Sequence, residues 1–341
     1  MILRISSLLL STFILFAVFS CGKDSTLEFN DQEINHIPDG FPEILFPEGN
    51  EFTKARWELG KSLFYDPALS KSGKISCGSC HNPKLAFSDN VAFSIGDNEA
   101  IGSSNSPSLV NVAYQPYYTR AGGVSTLEMQ VLVPIQEHDE LNTNIVDLAI
   151  KLKENPEYAA AAFECYDREL DPYVIVRAIA NFERSFISGN STYDKYAFQG
   201  KKSAINAEQL NGLKLFFSDK TNCSTCHSDF NFSNYAFENN GLYEVYPDSG
   251  RMRLTRLETD RALFKVPSLR NAALTAPYMH DGSKQSLAEV VEHYNSGGKN
   301  HPNKNSLIRP LGLSQKEQNE LVAFLESLTD LEFVTNKNFR K

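Results

Sequence analysis

Cysteine is scarce in this chain, with six in 341 residues. No structural disulfide is needed, and each thiol can be asked for another role. Tryptophan is scarcer still, with Trp57 alone. There is no basic block and the net charge is −9, which removes the electrostatic footprint of a nucleic-acid-binding protein. No apolar run makes a comfortable membrane span; Leu8 to Phe19 is too short. No convincing run alternates apolar and polar residues as strands do. The chain therefore reads as mainly α with long loops.

Four of the six cysteines spell one pentapeptide twice, Cys77-Gly-Ser-Cys80-His81 and Cys223-Ser-Thr-Cys226-His227. Cys-x-x-Cys-His is the attachment pattern of a c-type haem. Positions i, i+3 and i+4 share one face of a helical turn. Two thiols can then bond the vinyl groups of one porphyrin while the imidazole reaches its iron. The competing assignment is a split zinc site with four thiolates. Zinc pairs usually lie closer in sequence, and zinc does not need a histidine directly after both pairs. Two covalent haem c groups are the favoured reading, with His81 and His227 as iron ligands.

The other two cysteines have separate explanations. Arg4, the apolar run and Val18-Phe-Ser-Cys21 resemble a bacterial lipoprotein signal over residues 1–20, with Cys21 as the lipidated first residue. A soluble secreted protein with an incidental Cys21 is the alternative, and both place the protein outside the cytoplasm. Cys165 lies in an apparent helix and reads as a small buried side chain.

Residues 21–50 are polar, carry Pro38, Pro42 and Pro47, and read as a tether. Apolar periodicity predicts helices over Phe52–Phe64, Leu127–Val133, Ile145–Glu154, Pro156–Tyr166, Pro172–Ile187, Leu287–Tyr294 and Ser314–Ser327. Ser314 with Glu317 forms a capping-box pattern. Glu58-Leu-Gly-Lys-Ser-Leu-Phe64 and Gln209-Leu-Asn-Gly-Leu-Lys-Leu-Phe216 form a weak repeat, each ahead of a haem pentapeptide. This predicts two cytochrome c-like domains, 51–200 and 201–335, joined by a linker from Asn190 to about Ser203.

With these motifs placed, residues 50 to about 330 resemble the bacterial di-haem cytochrome c peroxidase family, which includes MauG-type members. The resemblance rests further on Leu59 to Pro67, Asn105-Ser-Pro-Ser108, Leu127-Glu-Met-Gln130, Pro134 to Glu140, Val266 to Asn271 and Leu274 to Gly282. It implies a peroxidatic N-terminal haem and an electron-supplying C-terminal haem. It also implies Glu140 as acid–base catalyst, with Gln130 as its companion. A carboxylate in a poorly hydrated pocket can move a proton between the two peroxide oxygens. Without the resemblance, Glu137, Asp139 and Glu140 would read as a solvated acidic turn.

The chain departs from the family pattern in places. Where many members carry a removable histidine on the peroxidatic haem, this chain has Asp97, which reads as pointing to solvent. The second haem's sixth ligand falls on Tyr294, as in MauG-type members, with His293 and Met279 as rivals. A phenolate donor favours ferric iron and lowers the potential. The tryptophan usually found between the haems is replaced by Arg120, leaving Tyr117 or Tyr118 for that place. The resemblance also implies an interdomain calcium ion on the Asn105 side chain and the carbonyls of Thr275 and Pro277. Oxygen donors suit that ion. Alternatively, Asn105 only caps a turn.

The function expected is reduction of hydrogen peroxide with electrons from a small c-type cytochrome. The protein would be exported and lipid-anchored, with a homodimer left open. A MauG-like oxidase and a non-catalytic electron carrier are the rival readings.

Overall fold

The computed structural model describes Ile34 and residues 36–341. The signal-like segment and Cys21 lie outside the described residues. The first half is organised by α1 (Lys54–Phe64), α2 (Cys77–Cys80), α3 (Leu127–Gln136), α4 (Ile145–Lys153), α5 (Pro156–Tyr166) and α6 (Pro172–Arg184). A short α7 (Thr192–Ala197) leads to the second half. That half holds α8 (Ala207–Phe216), α9 (Cys223–Cys226), α10 (Met252–Thr255), α11 (Leu287–Ser296) and α12 (Gln315–Glu326), and α13 (Leu331–Thr335) follows. The described strands are β1 (Phe237–Glu238) and β2 (Phe264–Lys265), an antiparallel pair. The mainly α expectation holds.

Helix starts follow the side chains that satisfy otherwise unpaired N–H groups. Thr53 caps α1, Thr126 caps α3, Asn144 caps α4 and Asp171 caps α6 ahead of Pro172. The Ser314–Glu317 capping box is present at α12. Helix α3 runs past its expected end to Gln136, although Pro134 lies inside it. A proline there has no N–H for the carbonyl four residues back, which belongs to Gln130.

The weak repeat becomes a shared packing device. A Cβ on Gly60 of α1 would stand 1.9 Å from the Ala178 carbonyl oxygen of α6. A Cβ on Gly212 of α8 would stand 1.8 Å from the Glu320 carbonyl oxygen of α12. In each half the glycine lets two helix backbones touch, and phenylalanines fill the space beside the crossing. Phe64 and Phe182 line the first core, Phe216 and Phe324 the second. The repeat extends beyond the helices ahead of the two pentapeptides. Pro107-Ser-Leu-Val-Asn111 matches Pro267-Ser-Leu-Arg-Asn271, and the turns closed by Tyr118↔Val124 and Tyr278↔Lys284 match as well.

Three organisational expectations change. Residues 36–50 are docked rather than a free tether: Phe41 packs on Tyr114, Phe198 and Phe230, and Asn50 is buried. The stretch from Asn190 is a clamp rather than a loose linker. Asp194 of α7 and Arg270 have fully buried side chains joined by two 2.9 Å bonds. The chain end also returns across the expected boundary, because Phe333, Val334 and Phe339 belong to the first core. Local patterning could not reveal these contacts, since each joins segments far apart in sequence.

Candidate active site

Each pentapeptide forms one helical turn whose histidine closes it. The His81 N–H donates to Cys77 O and the His227 N–H to Cys223 O, both at 3.0 Å. Both imidazoles are then fixed the same way. Nδ1 lies 2.8 Å from the Phe87 carbonyl in the first half and 3.0 Å from the Phe232 carbonyl in the second. A carbonyl can only accept, so Nδ1 carries the proton and Nε2 keeps a free lone pair. Burial lowers both histidine pKa values, which keeps the rings neutral. Phe87 and Phe232 hold φ of 57° and 50°, a costly left-handed backbone for a bulky residue. The same strain at both sites aims both carbonyls. The four thiols are unpaired and shifted up by burial. Two thiols and a free imidazole nitrogen on one turn fit a covalently held haem in each half.

Glu140 comes within electrostatic reach of the first of these turns. The Glu140 charge is close enough to raise the thiols of Cys77 and Cys80. Its own carboxyl is shifted up, first by desolvation and then by Glu137 and Asp139. The side chain is exposed to solvent, although neighbouring protein desolvates the carboxyl in part. Gln130 projects from α3, and its Oε1 is buried without a hydrogen-bond partner among the described residues. An unpaired buried acceptor is costly and calls for a partner such as a water, an ion or a ligand.

Helix α3 is anchored by a residue whose role the sequence did not show. Glu128 makes a bidentate pair with Arg184 of α6 at 2.7 and 2.9 Å and accepts from Asn50 at 2.8 Å.

Asp97 does not point to solvent. It is 2% exposed, and its carboxylate accepts from the Ser72 N–H at 3.1 Å and from the Ser72 hydroxyl. Its own N–H donates to the Glu140 carbonyl at 2.7 Å. The aspartate therefore pins the turn that carries Glu140. Gly96 beside it is required, since a Cβ there would stand 2.0 Å from Asp139 O.

Near the second turn, Tyr294 of α11 senses the charges of Cys223 and Cys226. Burial raises its hydroxyl pKa to about 12, partly offset by the Asn240 amide. The rival His293 has Nε2 3.0 Å from the Asn240 carbonyl, and the rival Met279 accepts from Asn240 Nδ2 at 3.3 Å. Trp57 is buried in the first core, where it bonds Ser185. Tyr117 stacks on Phe237 at 5.2 Å and so joins the two halves, while Tyr118 is buried in the first core.

The family model for di-haem cytochrome c peroxidase matches residues 54–203. The methylamine utilization protein MauG of Methylorubrum extorquens is 34% identical over 322 residues, covering 92% of this chain and 90% of that protein. The cytochrome c551 peroxidase of Nitrosomonas europaea is 34% identical over 278 residues, covering 80% and 79%.

The chain belongs to the di-haem cytochrome c peroxidase family.

Among solved structures, a MauG-like protein associated with microbial copper homeostasis aligns with a TM-score of 0.85 and 30% identity, over 89% of this chain and 98% of that one. As a member of the family the chain is an oxidoreductase, and the family's name carries the two haems its cradles fit. The calcium expectation fits less well. Asn105 Oδ1, its one side-chain donor, accepts a hydrogen bond from Arg120 Nη2 at 3.1 Å. The sequence carried the signal for this in Arg120 itself, but not its target.

Proposed function

We propose that the protein reduces hydrogen peroxide to water, drawing electrons from a small c-type cytochrome or similar external donor. Each half would be a cytochrome c-like unit around one haem, held by Cys77, Cys80 and His81 or by Cys223, Cys226 and His227. The observation that carries the reading is the Glu140 carboxyl within electrostatic reach of both thiols of the first haem turn, on a turn pinned by the Asp97 N–H at 2.7 Å.

A haem held by Cys77, Cys80 and His81 would supply two electrons for cleavage of the O–O bond. The chain's own residues then handle position and protons. Gln130 offers its amide to hold the peroxide. Glu140 takes the proton from one peroxide oxygen and gives it to the other, which leaves as the first water; two electrons from the external donor and two protons from solvent release the remaining oxygen as the second. The raised carboxyl pKa suits this exchange, because a base that grips its proton more firmly accepts it more readily. Tyr294 would be the sixth ligand of the second haem, supported by its place beside Cys223 and Cys226. The protein would be exported and anchored through Cys21. Among the described residues no helix is long and apolar enough to cross a membrane.

That same tyrosine supports a second reading, oxidation of a partner protein as in MauG-type members. The test is turnover of peroxide by the holoprotein with a reduced small c-type cytochrome, run beside the same reaction with candidate partner proteins. Fast cytochrome oxidation supports the peroxidase. Oxidation of a partner protein without it supports the second reading.

A further inference from the structure

The seam between the halves is built from a reciprocal pair of backbone bonds. The Asn105 N–H donates to the His280 carbonyl at 3.0 Å, and the Lys265 N–H donates to the Arg120 carbonyl at 2.7 Å. Residues 105 and 265 occupy equivalent places in the extended repeat, as do 120 and 280. Two equivalent elements therefore clasp each other, and their side chains meet at the centre.

Two cations stand there. Arg120 donates from Nε and Nη2 to the Asn105 backbone carbonyl at 3.2 and 2.7 Å, and from Nη2 to Asn105 Oδ1 at 3.1 Å. The Asn105 amide cannot simply be turned over. Its Nδ2 donates to the Val91 carbonyl at 2.8 Å, and a flip would set oxygen against oxygen and N–H against guanidinium. Lys265 Nζ donates to Gln115 Oε1 and to the Tyr117 carbonyl at 2.9 Å. Neither cation has a carboxylate within 4 Å among the described residues. Both pKa values fall, Arg120 to about 10 and Lys265 to about 8, first through burial; Asp281 and Asp248 partly offset the fall at Arg120, and Arg120 presses further on Lys265.

Calcium asks for the opposite arrangement. It takes 6–8 oxygen ligands, commonly including carboxylates, at about 2.3–2.6 Å. Here the asparagine oxygen that would serve it faces a guanidinium, and a dication would join two buried cations, with the carboxylates that favour Arg120, Asp281 and Asp248, beyond ion-pair distance.

We propose that the Arg120 guanidinium, with Lys265 beside it, closes this seam where related proteins are expected to place calcium, and that the holoprotein works without that ion. The proposal concerns the seam alone and stands whichever substrate the haems serve.

The test is metal analysis of the purified holoprotein, with melting temperature and haem absorption recorded in calcium and in a calcium chelator. The expected result is far less than one calcium per chain and identical melting and spectra in both buffers. The variant R120Q removes the charge and frees the Asn105 oxygen. It should bind calcium, and its melting temperature should rise with calcium concentration. One calcium per wild-type chain, with melting lowered by the chelator, overturns the proposal, and this arm stands even if R120Q does not fold. A folded R120Q that binds no calcium also overturns it, since Arg120 would then not be what excludes the ion.

Discussion

Replacing Glu140 by Gln removes a proton acceptor and leaves the shape of the side chain almost unchanged. The turn should hold its place, because it is fixed through the backbone. The Glu140 N–H donates to Glu137 O at 3.1 Å and its carbonyl accepts from Asp97 at 2.7 Å. No neighbour can take over the role. Gln130 is an amide, His138 is exposed and turned to Asp139, and the Asp97 carboxylate is tied to Ser72. Loss of one positioned acid–base group costs about 10²–10⁴ in rate. That corresponds to roughly 3–5 kcal/mol of barrier.

A second variant separates chemistry from position. G96A keeps the carboxylate but sets a Cβ 2.0 Å from Asp139 O and 3.0 Å from Glu140 Cα, so the turn must shift. A displacement of about 1 Å can cost on the order of 10². The assay is stopped-flow absorbance after mixing ferric holoprotein with peroxide, with haem content measured in parallel. E140Q reacting at the wild-type rate with both haems in place would refute the assignment.

The pH dependence follows from the same residue. A carboxyl raised above the ordinary value of about 4.3 loses its base form at a higher pH on acidification. The rate should therefore fall through that raised pKa as the pH drops. The double variant E137Q/D139N should move the fall to lower pH, leaving the larger desolvation effect in place.

Asp97 is engaged with Ser72, and its stretch holds no histidine, so the as-isolated ferric protein should show one high-spin haem by electron paramagnetic resonance and react with peroxide without pre-reduction. Two low-spin signals with no reaction until reductant is added would disprove this. D194A strands the buried Arg270 guanidinium, and removing one partner of a buried pair costs about 3–5 kcal/mol. Chemical denaturation should show a loss of that order; near-wild-type stability would mean Arg270 finds another partner. G212A gains at most about 1 kcal/mol of helix propensity. It also drives a Cβ to 1.8 Å from the Glu320 carbonyl, and such overpacking costs about 1–3 kcal/mol or more because backbone must move. Its melting temperature should fall, and a rise would show that α8 and α12 are not held at this spacing.

The chemistry of the haem turns was legible in the sequence because its geometry is local. Three residues within five positions, at Cys77, Cys80 and His81 and again at Cys223, Cys226 and His227, share one helical face wherever the rest of the chain goes. Caps such as Ser314 with Glu317 were legible for the same reason. Glu140 needed the family resemblance, since an acidic turn alone resembles any solvated surface.

Tertiary structure decided what no local pattern encodes. It turned Asp97 from a solvent-facing loop residue into the strut behind Glu140, through Ser72, which lies 25 positions away. It made the stretch from Asn190 a clamp by burying Asp194 against Arg270, 76 positions on. It set Arg120 against Asn105 across 15 residues at the seam with the second half, on the oxygen that calcium would need. A short-range spacing fixes which atoms share a helical face, whereas a buried charge finds its partner only once distant segments have packed.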